Sequence, residues 1–216
     1  MSRADALSLA AALHEKGFNL LVYDQRGSGA NPKEGSTLGW RETDDLVAAL
    51  EFTRRRPEVD ARRMGVWGVD VGAWAALAAA ASYREIRAIA ADSAYESVDD
   101  FLAVRLRSDI GVESHLLEVA CAQVFRLYRP VVAGGSDRSL RLDALADRSV
   151  LFIQGDNRKD MARLTALLFD RVQPQKEMIS IPSSRVRMMS GEEQQNYDRQ
   201  VSNFFHLNLP VRESLR

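Results

Sequence analysis

Cysteine is almost missing from this chain: Cys121 stands alone among 216 residues. No intrachain disulfide framework is open to it. A lone thiol fits a reducing compartment, so the expectation is a cytoplasmic protein. Long apolar runs are lacking too. Nothing approaches the roughly 18 residues that a membrane helix needs. The N-terminal residues Met1 to Leu13 are apolar in part, but they include Asp5 and run into His14, Glu15 and Lys16. That reads as an amphipathic helix and not as a signal peptide. Charge of one sign is not in excess: 29 Lys and Arg face 30 Asp and Glu, for a net charge of −1. This balance gives no reason to expect nucleic acid or an anionic membrane as partner. Histidine occurs three times, at His14, His115 and His206. With a single cysteine, that scatter excludes the usual zinc spacings. Gly65, Gly68 and Gly72 stand at the wrong offsets for a dinucleotide fingerprint, and no Gly-Lys-Ser/Thr phosphate loop occurs. No cofactor is expected.

What is present is alternation. Residues 3–16 place Ala6, Leu7, Leu9, Ala10 and Leu13 at helical spacing, and Gly17 ends that helix. The run Phe18 to Tyr23 predicts a buried parallel strand ending at Asp24. A loop rich in Gly, Ser, Asn and Pro follows, from Gln25 to Ser36. Further helices are predicted at 40–55, 71–81, 161–172 and 192–205. Further strands are predicted at 63–68, 86–91, 150–153 and 177–181. Strands alternating with helices of this length imply βαβ units and a parallel sheet. The stretch from about 96 to 149 breaks the alternation and reads as a helical insertion over the strand ends. One domain over 1–216 is the expected organisation.

The most informative segment is Gly68-Val69-Asp70-Val71-Gly72, set between a strand and an Ala-rich helix. Glycines two before and two after a central residue are the pattern of a nucleophile elbow, whose turn is too tight for flanking side chains. The central residue is forced toward positive φ, which Asp tolerates better than most. Asp-x-Arg-Gly-x-Gly at Asp24 to Gly29 follows the first predicted strand. Thr37, Gly39, Glu42, Asp45 and Leu46 come next, then Ala91 to Tyr95 and Leu151 to Gly155. On these residues the chain resembles the α/β-hydrolase superfamily, and within it the small serine hydrolases related to dienelactone hydrolases and prolyl-peptidase-type catalytic domains. The resemblance covers nearly the whole length. It implies a three-layer α/β/α fold with a mainly parallel sheet, lacking its first strands, and a helical cap.

Where that family carries Ser, this chain carries Asp70. Where it places an acid after a His-Gly pair, this chain has Gln154-Gly155 and then Arg158, with Asp156 and Asp160 shifted to either side. Asp160 is the candidate remnant of the acid. The catalytic His of the family follows the last strand. Here that loop reads Pro182-Ser183-Ser184-Arg185-Val186-Arg187. The Val71 N–H supplies at best half an oxyanion hole. The family's other half comes from a loop after a strand that precedes the first helix, and that strand sits between those ending here at Asp24 and Gly68. The sequence leaves three readings of its absence: the sheet closes up, another segment fills a central slot, or the reading frame is truncated.

The expectation is a pseudoenzyme with a degenerate triad, binding a small-molecule ligand under the cap or associating with a partner, as a homo-oligomer or through the missing N-terminal segment. The alternative is an Asp70-dependent hydrolase of esterase, epoxide hydrolase or dehalogenase type. Haloalkane dehalogenases and epoxide hydrolases of the superfamily use an elbow Asp, whose carboxylate a helix N-terminus favours. They also need a His-activated water, for which His115 is the candidate. As a plain helix cap, Asp70 would do nothing chemical. Asp24 and Arg26 read as a loop-fixing network, Asp92 and Ser93 as a structural junction, and Arg185 and Arg187 as a solvated face.

Overall fold

In a computed structural model, the structure describes residues 3–31, 35–111, 114–128, 140–173, 175–184, 189 and 191–209. Arg185 and Arg187 lie outside the described residues. A short 3-10 turn at Arg3–Ala6 leads into α1 (Leu7–Glu15), and α2 (Trp40–Arg54) follows the first loop. Then come β1 (Met64–Val69), α3 (Val71–Ser82) and β2 (Ile86–Asp92). The segment between β2 and β3 holds α4 (Val98–Ile110), α5 (His115–Tyr128) and a 3-10 turn at Leu142–Leu145. The chain continues through β3 (Ser149–Gly155), α6 (Lys159–Arg171), β4 (Lys176–Ile181) and α7 (Glu192–Asn208).

The four strands form one parallel sheet in the order β1-β2-β3-β4, which is also their order in the chain. Two apolar layers enclose it. Leu46 and Leu50 of α2, Trp74 and Leu77 of α3 and Met161 and Leu168 of α6 cover one face. Leu9 and Leu13 of α1 and Tyr197, Val201, Phe204 and Phe205 of α7 cover the other. The result is a three-layer α/β/α sandwich. Both faces of β2 and β3 are buried, which is why these strands read as continuous apolar runs. Small side chains set the closeness of α3: Ala73, Ala75, Ala76, Ala79 and Ala80 are all buried against β1 and β2. No described helix is long and apolar enough to cross a membrane.

One expected strand is not one. Residues 18–23 follow α1 but join no ladder. A strand is defined by its hydrogen-bonded neighbour, and the segment is separated from β1 by a cleft of about 890 Å³. Leu20 and Leu21 are consequently exposed, at 42% and 45%. The sheet has not closed up over the gap.

The loop before α2 is pinned as the sequence implied. Both Glu42 oxygens are buried acceptors. They take the N–H groups of Thr37 and Gly39 at 2.9 Å each and the hydroxyls of Ser36 at 2.8 Å and Thr37 at 2.7 Å. Gly39 sits at φ 115°, and a Cβ there would lie 2.3 Å from the Trp74 ring. Arg26 holds Asp45 through Nε at 2.6 Å and through Nη2. Asp24 accepts from the N–H groups of Arg3 at 2.7 Å and Ala30 at 3.1 Å. These contacts fasten the Asp-x-Arg-Gly-x-Gly loop to the 3-10 turn ahead of α1 and to α2.

Candidate functional site

The elbow forms as its glycines imply. β1 ends at Val69, Asp70 takes φ 50° and ψ −112°, and α3 starts at Val71. A left-handed φ at a non-glycine residue stores strain that the surroundings must hold. Gly68 is essential to the turn, since a Cβ there would stand 2.3 Å from the backbone carbon of Gly72. Gly72 is different. A Cβ on it would meet only the Gln25 side chain, at 3.6 Å, an ordinary contact. The crowding expected on both sides of the turn therefore exists on one. The Asp70 N–H donates to the Asp92 carbonyl at 2.9 Å, and the Asp70 carbonyl accepts from the Trp74 N–H at 3.1 Å.

The Asp70 carboxylate does not cap α3. Its Oδ1 accepts from Arg158 Nη1 at 2.8 Å. The Arg158 side chain is 11% exposed and that of Asp70 29% exposed. Arg158 lies three residues past Gly155, just ahead of α6, at the position where the resemblance places an acid. Two departures that looked separate in the sequence are thus one interaction, with the charges exchanged: an anion at the nucleophile position and a cation at the acid position. Asp156 and Asp160 are exposed. Val71 opens α3, so its N–H belongs to the first-turn donors without an intrahelical partner.

Behind the elbow lies a chain of groups that sequence reasoning left as a structural junction. Asp92, at the C-terminal end of β2, is wholly buried. It accepts from Tyr197 Oη at 3.0 Å and Ser93 Oγ at 2.9 Å, while Trp67 Nε1 donates to Tyr197 Oη at 2.8 Å. Burial, more than these two hydrogen bonds can offset, pushes the Asp92 carboxyl up to about 7. Burial likewise drives the Tyr197 hydroxyl well above its ordinary value.

The histidines stand elsewhere. His14 and His206 are exposed, on α1 and α7. The His115 side chain is 90% exposed and faces Glu118 at 3.8 Å. None of the three lines the cleft into which Asp70 opens. Phe101 and Arg105 of α4 reach the rim of that cleft. Among the described residues, no group of three His, Cys, Asp or Glu could hold a metal ion.

No family model matches the chain. An uncharacterized 31.7 kDa protein from the traX-finO intergenic region of Escherichia coli is 28% identical over 91 residues, 42% of this chain and 32% of that protein. An uncharacterized protein of Mycobacterium tuberculosis is 31% identical over 139 residues, 62% of this chain and 48% of that protein. The chain thus matches less than half the length of these curated relatives. Among solved structures, the Pyrococcus furiosus esterase Pf2001 superposes with a TM-score of 0.65 at 17% identity, over 94% of this chain and 76% of that one. The α/β-hydrolase GrgF of Penicillium gives 0.58 at 16% identity, over 88% and 80%. The Pyrococcus horikoshii acylaminoacyl peptidase gives 0.54 at 16% identity, over 82% and 29%.

Proposed function

On the premise that this chain has the α/β-hydrolase fold, we propose that it is a non-catalytic member of that architecture, which binds a ligand or a partner at the cleft beside the elbow. The observation that carries this reading is the Asp70–Arg158 pair at 2.8 Å. A nucleophile must present a free lone pair to substrate, and its base must lie within hydrogen-bond reach. The guanidinium of Arg158 holds one Asp70 oxygen and draws on its charge, which weakens it as a nucleophile, and no histidine lines its cleft. Nucleophile, base and oxyanion donors act as a unit, so losing them together leaves little rate. The ligand expected under the cap would meet Phe101 and Arg105 at the rim.

A second reading has its own observation, the φ of 50° at Asp70 at the start of α3. In it, a carboxylate oxygen attacks a halide or epoxide carbon; the C–halogen bond breaks and the halide departs, or the ring C–O bond breaks and the oxygen, kept on the neighbouring carbon, takes a proton from water. The ester so formed then needs an activated water. With no histidine lining the cleft to activate that water, the reaction is expected to stop after one turnover.

Turnover on short-chain p-nitrophenyl esters, one epoxide and one haloalkane separates the two, with Asp70→Asn alongside. Background rates in both proteins are expected. Multiple turnovers abolished in Asp70→Asn would establish Asp70 as nucleophile and end the non-catalytic reading.

A further inference from the structure

We infer that the outward face of α5 is a self-association surface, on which a second copy of this chain packs its own α5 antiparallel about a two-fold axis. The face is separate from the cleft beside the elbow, since no residue of α5 lines that cleft.

The first observation is that α5 is turned inside out. It packs on α4. Its charged residues Glu118 and Arg126 bind there: Glu118 accepts from Arg107 Nε at 2.8 Å, and Arg126 pairs with Asp99. The apolar residues point away. Leu116 and Leu127 are each 80% exposed, Val124 59% and Leu117 47%, and Ala120 is exposed with them. Scattered apolar residues are ordinary on a surface, whereas a contiguous strip of them marks an interface.

The second is the spacing. Leu117, Ala120, Val124 and Leu127 follow one another at intervals of three, four and three. That is the apolar seam of two helices packed at a shallow angle. The flanking positions are Leu116 and Gln123 on one side and Cys121 on the other, all uncharged. Two copies of the face therefore meet without like charges opposed.

The third is that the seam is its own complement. In an antiparallel pair with the axis level with Ala122, Leu117 lies opposite the partner's Leu127, and Ala120 lies opposite the partner's Val124. The outer layers are then Leu on Leu, and the inner layers set a small side chain against a β-branched one. An isologous interface demands this match. A parallel pair would set Ala120 on its own copy and leave a void. The antiparallel pair also lays the positive N-terminal end of each helix beside the negative C-terminal end of the other. With 14 residues, α5 offers a contact about 21 Å long. One helix pair of that length stands at the low end of stable interfaces, about 1,200 Å² in total, so the dimer is a reversible one.

Sedimentation velocity on the full chain tests this, from about 1 to 500 μM, the range in which weak interfaces dissociate. The expected result is a reversible monomer–dimer equilibrium. Val124→Glu should weaken it at least tenfold and leave the melting temperature of the dilute protein unchanged. Orientation is read from single cysteines in a Cys121→Ser background. Across the antiparallel pair, the two copies of residue 117 stand about 15 Å apart along the axes, as do those of residue 127. With a bis-maleimide shorter than that, Leu117→Cys and Leu127→Cys should each fail to cross-link alone and should link when mixed. A monomer at every concentration overturns the inference. So does a dimer that Val124→Glu leaves intact, self-linking of Leu127→Cys alone, or growth beyond the dimer. Flotation of a monomer on phosphatidylcholine–phosphatidylglycerol vesicles, lost in Val124→Glu, would overturn it by giving the face to a membrane.

Discussion

The exchange of charge at the elbow is the residue-scale fact with the most consequences. Asp70 and Arg158 are 88 positions apart, and each looks like a defect until the other is seen. Removing Arg158 leaves a partly buried carboxylate facing buried Asp92, so Arg158→Met should destabilise the protein by about 1–3 kcal/mol. Asp70→Asn should cost less, and the double variant less than the sum, a coupling that a thermal-denaturation cycle measures. Restoring the family's nucleophile should restore nothing: Asp70→Ser is expected to show background ester hydrolysis, because no histidine lines the cleft. Asp92 makes a further claim. Burial raises its carboxyl to about 7, against an ordinary 3.8. The folded state therefore holds a proton that the unfolded chain releases between those values. Its contribution to stability is fully present below about pH 4 and is lost as pH rises through about 7. Melting temperature should fall over that window, and Asp92→Asn should flatten the fall.

At the scale of elements, the helices and four of the strands were legible from apolar content and spacing: β2 and β3 as short continuous apolar runs, α3 as an Ala-rich stretch behind the elbow, and α7 from Tyr197, Val201, Phe204 and Phe205 at helical spacing. Helices predicted at 40–55 and 71–81 are α2 at Trp40–Arg54 and α3 at Val71–Ser82. The segment 18–23 failed for a physical reason: its residues suit a strand, but strand formation depends on a neighbour that local sequence does not contain. The elbow was legible from Gly68 and Asp70. The Arg158 contact was not, since pairing across the sheet leaves no periodic trace. Its one signal was that a cation stood where the resemblance called for an acid. Turn chemistry yields two tests. Gly68→Ala should cost about 3 kcal/mol, as its methyl meets the backbone of Gly72. Gly72→Ala should be nearly silent. Glu42→Gln puts a donor among the four groups that Glu42 accepts from, and about 2 kcal/mol of stability should go with it in urea denaturation.

For the whole molecule, the two apolar layers and the parallel sheet account for the likeness to esterase and peptidase structures, and the likeness extends to the fold alone. Chemistry depends on the few side chains set at the strand ends, and here those are Asp70, Asp92 and Arg158. The match between strand order and chain order bears on how the molecule is made. Of the four described strands a ribosome delivers β1 first, and β2, β3 and β4 each emerge with a finished neighbour already waiting. Growth of the sheet is thus one-directional, adding strands on the side away from the cleft. Among the described strands, none made after β1 covers its outer edge, so through that part of synthesis the edge is a surface that calls for chaperoning.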